Sequence, residues 1–219
     1  FVWKIAQSPR VTELLAAPGN PGMAGLAECV NVGAEDVDGL VDLAEARKVD
    51  LVVVGPEVPL AEGLVDRLTE RGVWSLGPTQ AAARIESDKD FALELMHKYN
   101  IPTARYETFT EAGPAGECVK AWGEPMWLKA SGLAAGKGAI FCETAEDALK
   151  TIDEVMVQRV FGAAGDKLVV MEHMVGEEAS VFGFTDGEHM VCISPSPDPQ
   201  AVGEGDAGLS PGGMGAYAP

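Results

Sequence analysis

Positive charge is scarce in this sequence. Sixteen lysines and arginines face 34 aspartates and glutamates, a formal net charge of -18. A surface that negative repels phosphate backbones, which excludes general nucleic-acid binding. Any phosphorylated ligand must be held by a few placed lysines, backbone N–H groups or a metal ion. Aromatic residues are also sparse, at 6%. The four cysteines, Cys29, Cys118, Cys142 and Cys192, stand far apart with no metal-ligand spacing, and are expected to be buried thiols in a reducing compartment. His97, His173 and His189 are equally dispersed and give no zinc pattern. No apolar run approaches the length of a membrane span and no signal peptide is visible, so a cytoplasmic enzyme or binding protein with no membrane partner is expected.

Hydrophobic residues make up 47% of the 219, enough to bury a core in one large domain or two small ones. Glycine (26) and proline (14) are frequent, which suits many turns between short elements. The chain opens with an uncapped apolar helical pattern, Phe1 to Gln7, and stops at Tyr217-Ala218-Pro219 just after a glycine cluster; both ends read as cuts. Val37, Leu40, Val41 and Ala44 fall at i, i+3, i+4 and i+7, one apolar helix face. The run Val49 to Val54 follows, nearly continuous and β-branched, as in a strand covered on both sides. Leu60, Leu64 and Leu68 predict a helix ending near Gly72, then a strand over Val73 to Leu76 and a helix capped by Thr79. Such repeated βα units argue for an open parallel sheet, with ligands beyond the carboxyl ends of its strands, around Gly55-Pro56-Glu57 and Gly77-Pro78.

The pattern then changes to α+β. Lys89 to Asn100 reads as a helix closed by Ile101-Pro102, and a Gly/Pro-rich stretch follows near Gly113 to Gly116. Strands are expected at Met126 to Ala130, Ala139 to Cys142 and Lys167 to Glu172. Thr144 and Asp147 form a capping-box variant for a helix from Ala145 to about Val157. Ser180 to Phe184 and His189 to Ile193 read as a hairpin through Asp186-Gly187.

Lys129-Ala130-Ser131-Gly132-Leu133-Ala134-Ala135-Gly136-Lys137-Gly138 lies between two of those strands. Its glycines let backbone N–H groups approach an anion and its lysines supply charge, although a flexible hairpin loop would look the same. The spacing fits neither a Walker A loop nor a dinucleotide fingerprint. Val169 to Glu172 gives way to Gly176-Glu177-Glu178, which can frame a purine and its ribose hydroxyls or form a solvated acidic turn. Lys89, at a helix start, could reach a phosphate or simply be exposed.

Lys89, Lys129 with its glycine loop, Glu172 and Gly176-Glu177-Glu178 occur in the order seen in the ATP-grasp ligases. Ala17-Pro18-Gly19-Asn20, Val54-Gly55-Pro56-Glu57, Gly77-Pro78-Thr79 and Gly212-Gly213-Met214-Gly215-Ala216-Tyr217 extend the match over essentially the whole chain. The sequence therefore resembles the glycinamide ribonucleotide synthetase family, with a high-specificity signature in the glycine loop and the Gly-Gly-Met-Gly-Ala-Tyr run. The resemblance implies an α/β protein: an open parallel-sheet pre-ATP-grasp domain over 1–86 lacking its first strand, then an incomplete α+β ATP-grasp domain over 87–219 with its lid at about 107–176. It implies ATP with Mg2+ or Mn2+ as cofactors, and glycine and 5-phosphoribosylamine as small-molecule partners. Lys89, Lys129, Gly132, Gly136, Lys137 and Gly138 would hold the ATP phosphates, and Glu172, Glu177 and Glu178 the adenosine. Gly19, Asn20, Gly55, Pro56 and Glu57 would bind phosphoribosylamine. Asp198, Gly212, Gly213 and Met214 would lie near glycine, with Lys129, Asp198 and Gly213 in catalysis. Fusion to other purine-pathway domains is compatible with the pattern.

The sequence departs from the family at Pro197 to Ala201, where Gln-Asp-His-Lys-Arg is usual, and at Gly208 to Pro211. Leu93 and His173 replace a common lysine and a common glutamate. A relative with an altered amine substrate and a non-catalytic nucleotide-binding homologue are the alternative readings. The resemblance places a phosphate-binding loop before Phe1 and metal-binding Glu and Asn after Pro219, so no metal ligand is expected within these 219 residues. The 219 residues alone are accordingly expected not to turn over; glycine-dependent ADP release from them would overturn this.

Overall fold

The computed structural model describes residues 1–134, 137–176, 178–197, 203 and 215–218. The chain divides into two compact units, Phe1–Asn100 and Ile101–Pro219.

The first unit runs α1 (Val2–Ile5), β1 (Leu15–Ala16), β2 (Glu28–Cys29), α2 (Val37–Ala46), β3 (Leu51–Val53), α3 (Glu57–Ala61), α4 (Leu64–Glu70), β4 (Trp74–Leu76), α5 (Gln80–Ser87) and α6 (Lys89–Lys98). β1 pairs with β2 and β3 with β4, both in parallel, so the expected parallel pairing takes the form of two two-stranded ribbons among the described residues. The apolar face of α2 is the one anticipated: Val41 and Ala44 join Leu64 and Leu68 in a buried cluster, with Val37, Leu40, Val52 and Val73 packed against it. Local side-chain caps start α2, α5 and α6. Asp36 accepts from the Gly39 amide at 2.9 Å, and Asp88 accepts from Phe91 at 3.1 Å.

Two expectations need correction here. The helix predicted from Leu60 to Gly72 is two helices, α3 and α4, separated by Gly63 in a left-handed conformation. The strand predicted over Val49 to Val54 covers only Leu51–Val53, and Leu51 is 52% exposed, so it is not covered on both faces as expected.

The second unit contains β5 (Tyr106–Phe109), α7 (Ala112–Trp122), β6 (Met126–Ala130), β7 (Ala139–Cys142), α8 (Ala145–Ile152), β8 (Leu168–Glu172), β9 (Gly183–Thr185) and β10 (Met190–Cys192). β5, β8, β6 and β7 lie side by side in that order, each pair antiparallel. Met126, Leu128 and Ala130 of β6 point to one face and are buried with Cys142, Leu168 and Val170 against Ala115 and Val119 of α7 and Ala148 and Ile152 of α8. The Gly/Pro-rich stretch near Gly113 to Gly116 is the start of α7. Pro114 sits in the first helical turn, where its missing N–H breaks no bond, and Ala115 and Val119 supply the buried face.

The capping box of α8 forms as anticipated, with Asp147 N–H donating to Thr144 Oγ1 at 3.1 Å and Thr144 N–H to Asp147 at 3.2 Å. The helix continues as a π-helical turn, Asp153–Val157. The expected hairpin also forms, with Thr185 opposite Met190. Its turn is held by Asp186, which accepts from the amides of His189 (2.7 Å) and Glu188 (2.9 Å). Those bonds favour the carboxylate and hold its pKa at about 2.

The expectation that the cysteines are buried needs correction. Cys142 is buried, Cys118 is partly so, and Cys29 and Cys192 are exposed; none is in a disulfide. Burial pushes the Cys142 and Cys118 thiols up, so both stay protonated at neutral pH.

Leu128 is fully buried at the centre of the β6 face. Leu128→Ala is expected to cost about 2–5 kcal/mol of stability through lost burial and a cavity. Urea unfolding read by circular dichroism checks it, with a lower midpoint at unchanged slope as the expected result.

Candidate functional site

Strand β6 carries two chemistries on its two faces. While Met126, Leu128 and Ala130 enter the core, Trp127 and Lys129 alternate onto the opposite face, away from the helices. In register beside Trp127 are Phe141 of β7 and Met171 of β8, and beside Lys129 are Ala139 and Val169. This face carries the cation: Lys129 Nζ lies 5.9 Å from the Trp127 ring centroid.

The glycine loop leaves β6 directly after Lys129 and Ala130. Its stem is closed by backbone bonds, from Ala130 N–H to Gly138 O (2.8 Å), Ser131 N–H to Lys167 O (3.0 Å) and Gly132 N–H to Ala164 O (3.2 Å). The glycines permit that closure. A side chain at Gly132 would lie 2.8 Å from Ala164 Cα, and one at Gly138 would lie 2.7 Å from Ala134 Cβ. The Gly132 amide is thus engaged in seating the loop, while Lys137 is exposed just before the loop returns to β7. Among the described residues, then, Gly132 and Gly138 shape the loop and Lys129 and Lys137 are its cations.

Glu172 closes β8 and turns to the other face. Its carboxylate accepts from the Arg105 amide at 2.9 Å, and its own N–H donates to Arg105 O at 2.9 Å. One carboxylate oxygen is thereby tied to the chain at Arg105. His173 follows: its Nδ1 accepts from Trp127 Nε1–H at 3.1 Å, and its ring lies 4.8 Å from Phe141. Glu178 is exposed beyond it.

In the first unit, the candidate substrate loops leave the carboxyl ends of parallel strands. After β1 comes Ala17-Pro18-Gly19-Asn20, with a cis Ala17-Pro18 bond. Asn20 Oδ1 accepts from Met23 N–H at 3.1 Å and closes the turn. Gly19 has φ +75°, and Cys29 Sγ lies 2.4 Å from where a side chain would begin, so only glycine fits. Glu28, beside Cys29 on β2, receives two bonds from Arg47 (2.9 and 2.7 Å), and Arg47 also pairs with Glu13. The guanidinium holds the Glu28 carboxyl below its usual range. After β3 come Gly55, Pro56 and Glu57, all exposed, with Glu57 opening α3. Lys89 begins α6, partly buried, behind the Asp88 cap.

Gly136, Glu177, Asp198, Gly212, Gly213 and Met214 lie outside the described residues. Among the described residues no group of three or more His, Cys, Asp or Glu side chains could hold a metal ion. Among the described residues no helix is long and apolar enough to cross a membrane. Sequence reading missed the Trp127–Phe141–His173 cluster. The signal was present in β6, where Trp127 and Lys129 alternate with three small or aliphatic residues and must therefore share a face.

Comparison with known proteins adds an independent line. Residues 1–86 match the phosphoribosylglycinamide synthetase N domain, and residues 87–219 match the phosphoribosylglycinamide synthetase ATP-grasp (A) domain. The chain is 44% identical to a phosphoribosylamine–glycine ligase from Halalkalibacterium halodurans, over 100% of this chain and 51% of that protein. It is 45% identical to the enzyme of that name from Agrobacterium fabrum, over 100% and 52%. Its fold matches the crystal structure of phosphoribosylamine–glycine ligase from Thermotoga maritima with a TM-score of 0.79 and 25% identity, covering 98% of this chain and 51% of that one. The chain spans about half the length of the curated relatives it matches.

Gly132→Ala sets a methyl against the Ala164 backbone, which cannot swing aside. The expected cost is roughly 1–3 kcal/mol together with a displaced loop stem. Thermal melts and nucleotide titration of the variant read the two effects separately.

Proposed function

Because the chain belongs to the phosphoribosylglycinamide synthetase family, we propose that it carries the nucleotide-binding and amine-binding parts of an ATP-dependent ligase joining glycine to 5-phosphoribosylamine. The observation that carries the reading is Lys129: a half-buried cation on the face of the sheet opposite the helices, immediately before a glycine loop whose stem is bonded shut.

In this reading a glycine carboxylate oxygen attacks the γ-phosphorus of ATP, the bond to the β-phosphate oxygen breaks, and ADP and glycyl phosphate form. The amine nitrogen of phosphoribosylamine then attacks the acyl carbon. The carbon–oxygen bond to phosphate breaks, the nitrogen loses a proton, and glycinamide ribonucleotide and phosphate remain. Lys129 and Lys137 neutralise charge on the transferring phosphoryl group, Lys89 contacts the phosphates, and the loop excludes water that would hydrolyse the acyl phosphate. The residues after Glu172 read the base, and Glu177 or Glu178 takes the ribose. The Gly19-Asn20 turn, where Cys29 leaves no room for a side chain at Gly19, and Gly55-Pro56-Glu57 hold phosphoribosylamine. Asp198 and Gly212 to Met214 belong near glycine. Magnesium or manganese would arrive with ATP; the described residues offer it no cluster of three or more His, Cys, Asp or Glu. A cytoplasmic setting and fusion to later purine-pathway domains fit this role.

The complete reading frame, given fresh phosphoribosylamine, glycine and magnesium-ATP, is expected to release ADP only when all three are present. Release without glycine, or none at all, would count against the ligase. Lys129→Ala removes a charge-assisted contact and is expected to lower kcat/KM by about 10- to 100-fold.

A further inference from the structure

We infer that the connection from Asp153 to Lys167 is a seat that holds the stem of the glycine loop in place, with Gly165 as a positioning residue acting through Ala164. The inference rests on the reading of Lys129 and its loop as a phosphate site, and adds what decides where that loop begins.

Backbone meets backbone twice here, each time at a glycine. A Cβ at Gly132 would lie 2.8 Å from Ala164 Cα, and a Cβ at Gly165 would lie 2.7 Å from the Val155 carbonyl oxygen. Ala164 and Gly165 are neighbours in the chain, so together they join the loop stem to residue 155. Val155 is anchored, since its side chain is buried in the core with Ile152 and Leu168. The path from the core to the loop thus runs through backbone alone, and the two glycines keep it short. Its last step is the bond from Gly132 N–H to Ala164 O at 3.2 Å, with Ser131 N–H to Lys167 O at 3.0 Å beside it.

The chain adopts unusual geometry to make this path. Val155 lies in the π-helical turn, where Gln158 N–H donates to Asp153 O at 2.9 Å. Arg159 follows with φ +57°, and among the described residues of the second unit no other non-glycine has a left-handed φ. Gly162 is left-handed as well, and a 3-10 turn over Gly162–Asp166 brings the chain to the two accepting carbonyls. An ion pair between Arg159 and Asp166 ties the two ends of this detour together. A plain α-helical continuation of α8 would need none of it. Strained backbone of this kind persists where surrounding contacts hold it, and gathers at working parts of proteins. The work here is placement, because Lys129 stands on β6 just ahead of the stem that the seat fixes. A displacement of about 1 Å at such a group is enough to cost a reaction roughly 100-fold.

Amide hydrogen exchange on the complete reading frame reads the seat directly, with no ligand present. Gly165→Ala sets a methyl against the Val155 carbonyl. It is expected to speed exchange at Ser131 and Gly132 while Leu128 and Val170, in the core of the same sheet, keep their protection. Its kcat is expected to fall by about 10- to 100-fold with KM for phosphoribosylamine unchanged. Arg159, an exposed side chain, supplies a second pair of variants in case Gly165→Ala does not fold. Arg159→Gly adopts the left-handed turn without steric cost and is expected to match wild type in both readouts, although the ion pair is lost. Arg159→Val disfavours the turn and is expected to reproduce the exchange pattern and the loss in kcat. Unchanged exchange at Gly132 in both Gly165→Ala and Arg159→Val, or equal acceleration at Leu128 and Val170, would overturn the seat. So would identical behaviour of the two Arg159 variants. Lys129→Ala keeps the two readings apart: if it leaves turnover unaltered the phosphate reading falls, while exchange at Gly132 still decides whether the stem is seated.

Discussion

Everything in the second unit depends on the two-sidedness of β6. A strand projects successive side chains to opposite faces, so five residues build half a core and half a site at once. Met126, Leu128 and Ala130 bind the sheet to α7 and α8, and that burial fixes where Trp127 and Lys129 stand. The site residues need no scaffold of their own because the core side of the same strand holds them still. A register slip of one residue would exchange the faces, burying a lysine and exposing a leucine, so the core polices the site's geometry.

The loop at the end of β6 follows the same economy. Its glycines are where backbone must approach backbone, and once the stem is bonded to residues 164 and 167 the lysines flanking it have fixed points of departure. In the first unit, Gly19 lies over the Cys29 thiol and Asn20 closes its own turn. Both units thus rely on local backbone fixation to place groups suited to anions, in a chain whose net charge is strongly negative.

What the sequence made legible was local. The i, i+3, i+4, i+7 face of α2, the Thr144–Asp147 box and the Asp186 turn each rest on residues a few positions apart, and each appears where its pattern indicated. The family signature, read from runs such as Lys129 to Gly138, agrees with domain matches spanning the chain. Features decided by distant partners were not legible. Helix α7 begins with glycine and proline, and forms because Ala115 and Val119 have a sheet to pack against. Strands β1 and β2, at two residues each, are too short to show any period. The Trp127–His173 bond joins residues 46 apart. The Glu172 carboxylate accepts from the Arg105 amide, a contact that no spacing in the sequence indicates.

That contact between Glu172 and Arg105 has a consequence for how the molecule comes into being. It spans 67 residues and clasps the start of the edge strand β5 to the end of β8. During synthesis β5 and α7 emerge first and have no sheet to join, while the β6–β7 hairpin can close on its own. Only when β8 is out can it dock on β6 and offer its free edge to β5. The loop-closure entropy of so distant a pairing makes this the slow step. The first strand of this sheet to be made is therefore the last to be secured, and until then its unpaired edge is the nascent chain's most vulnerable surface.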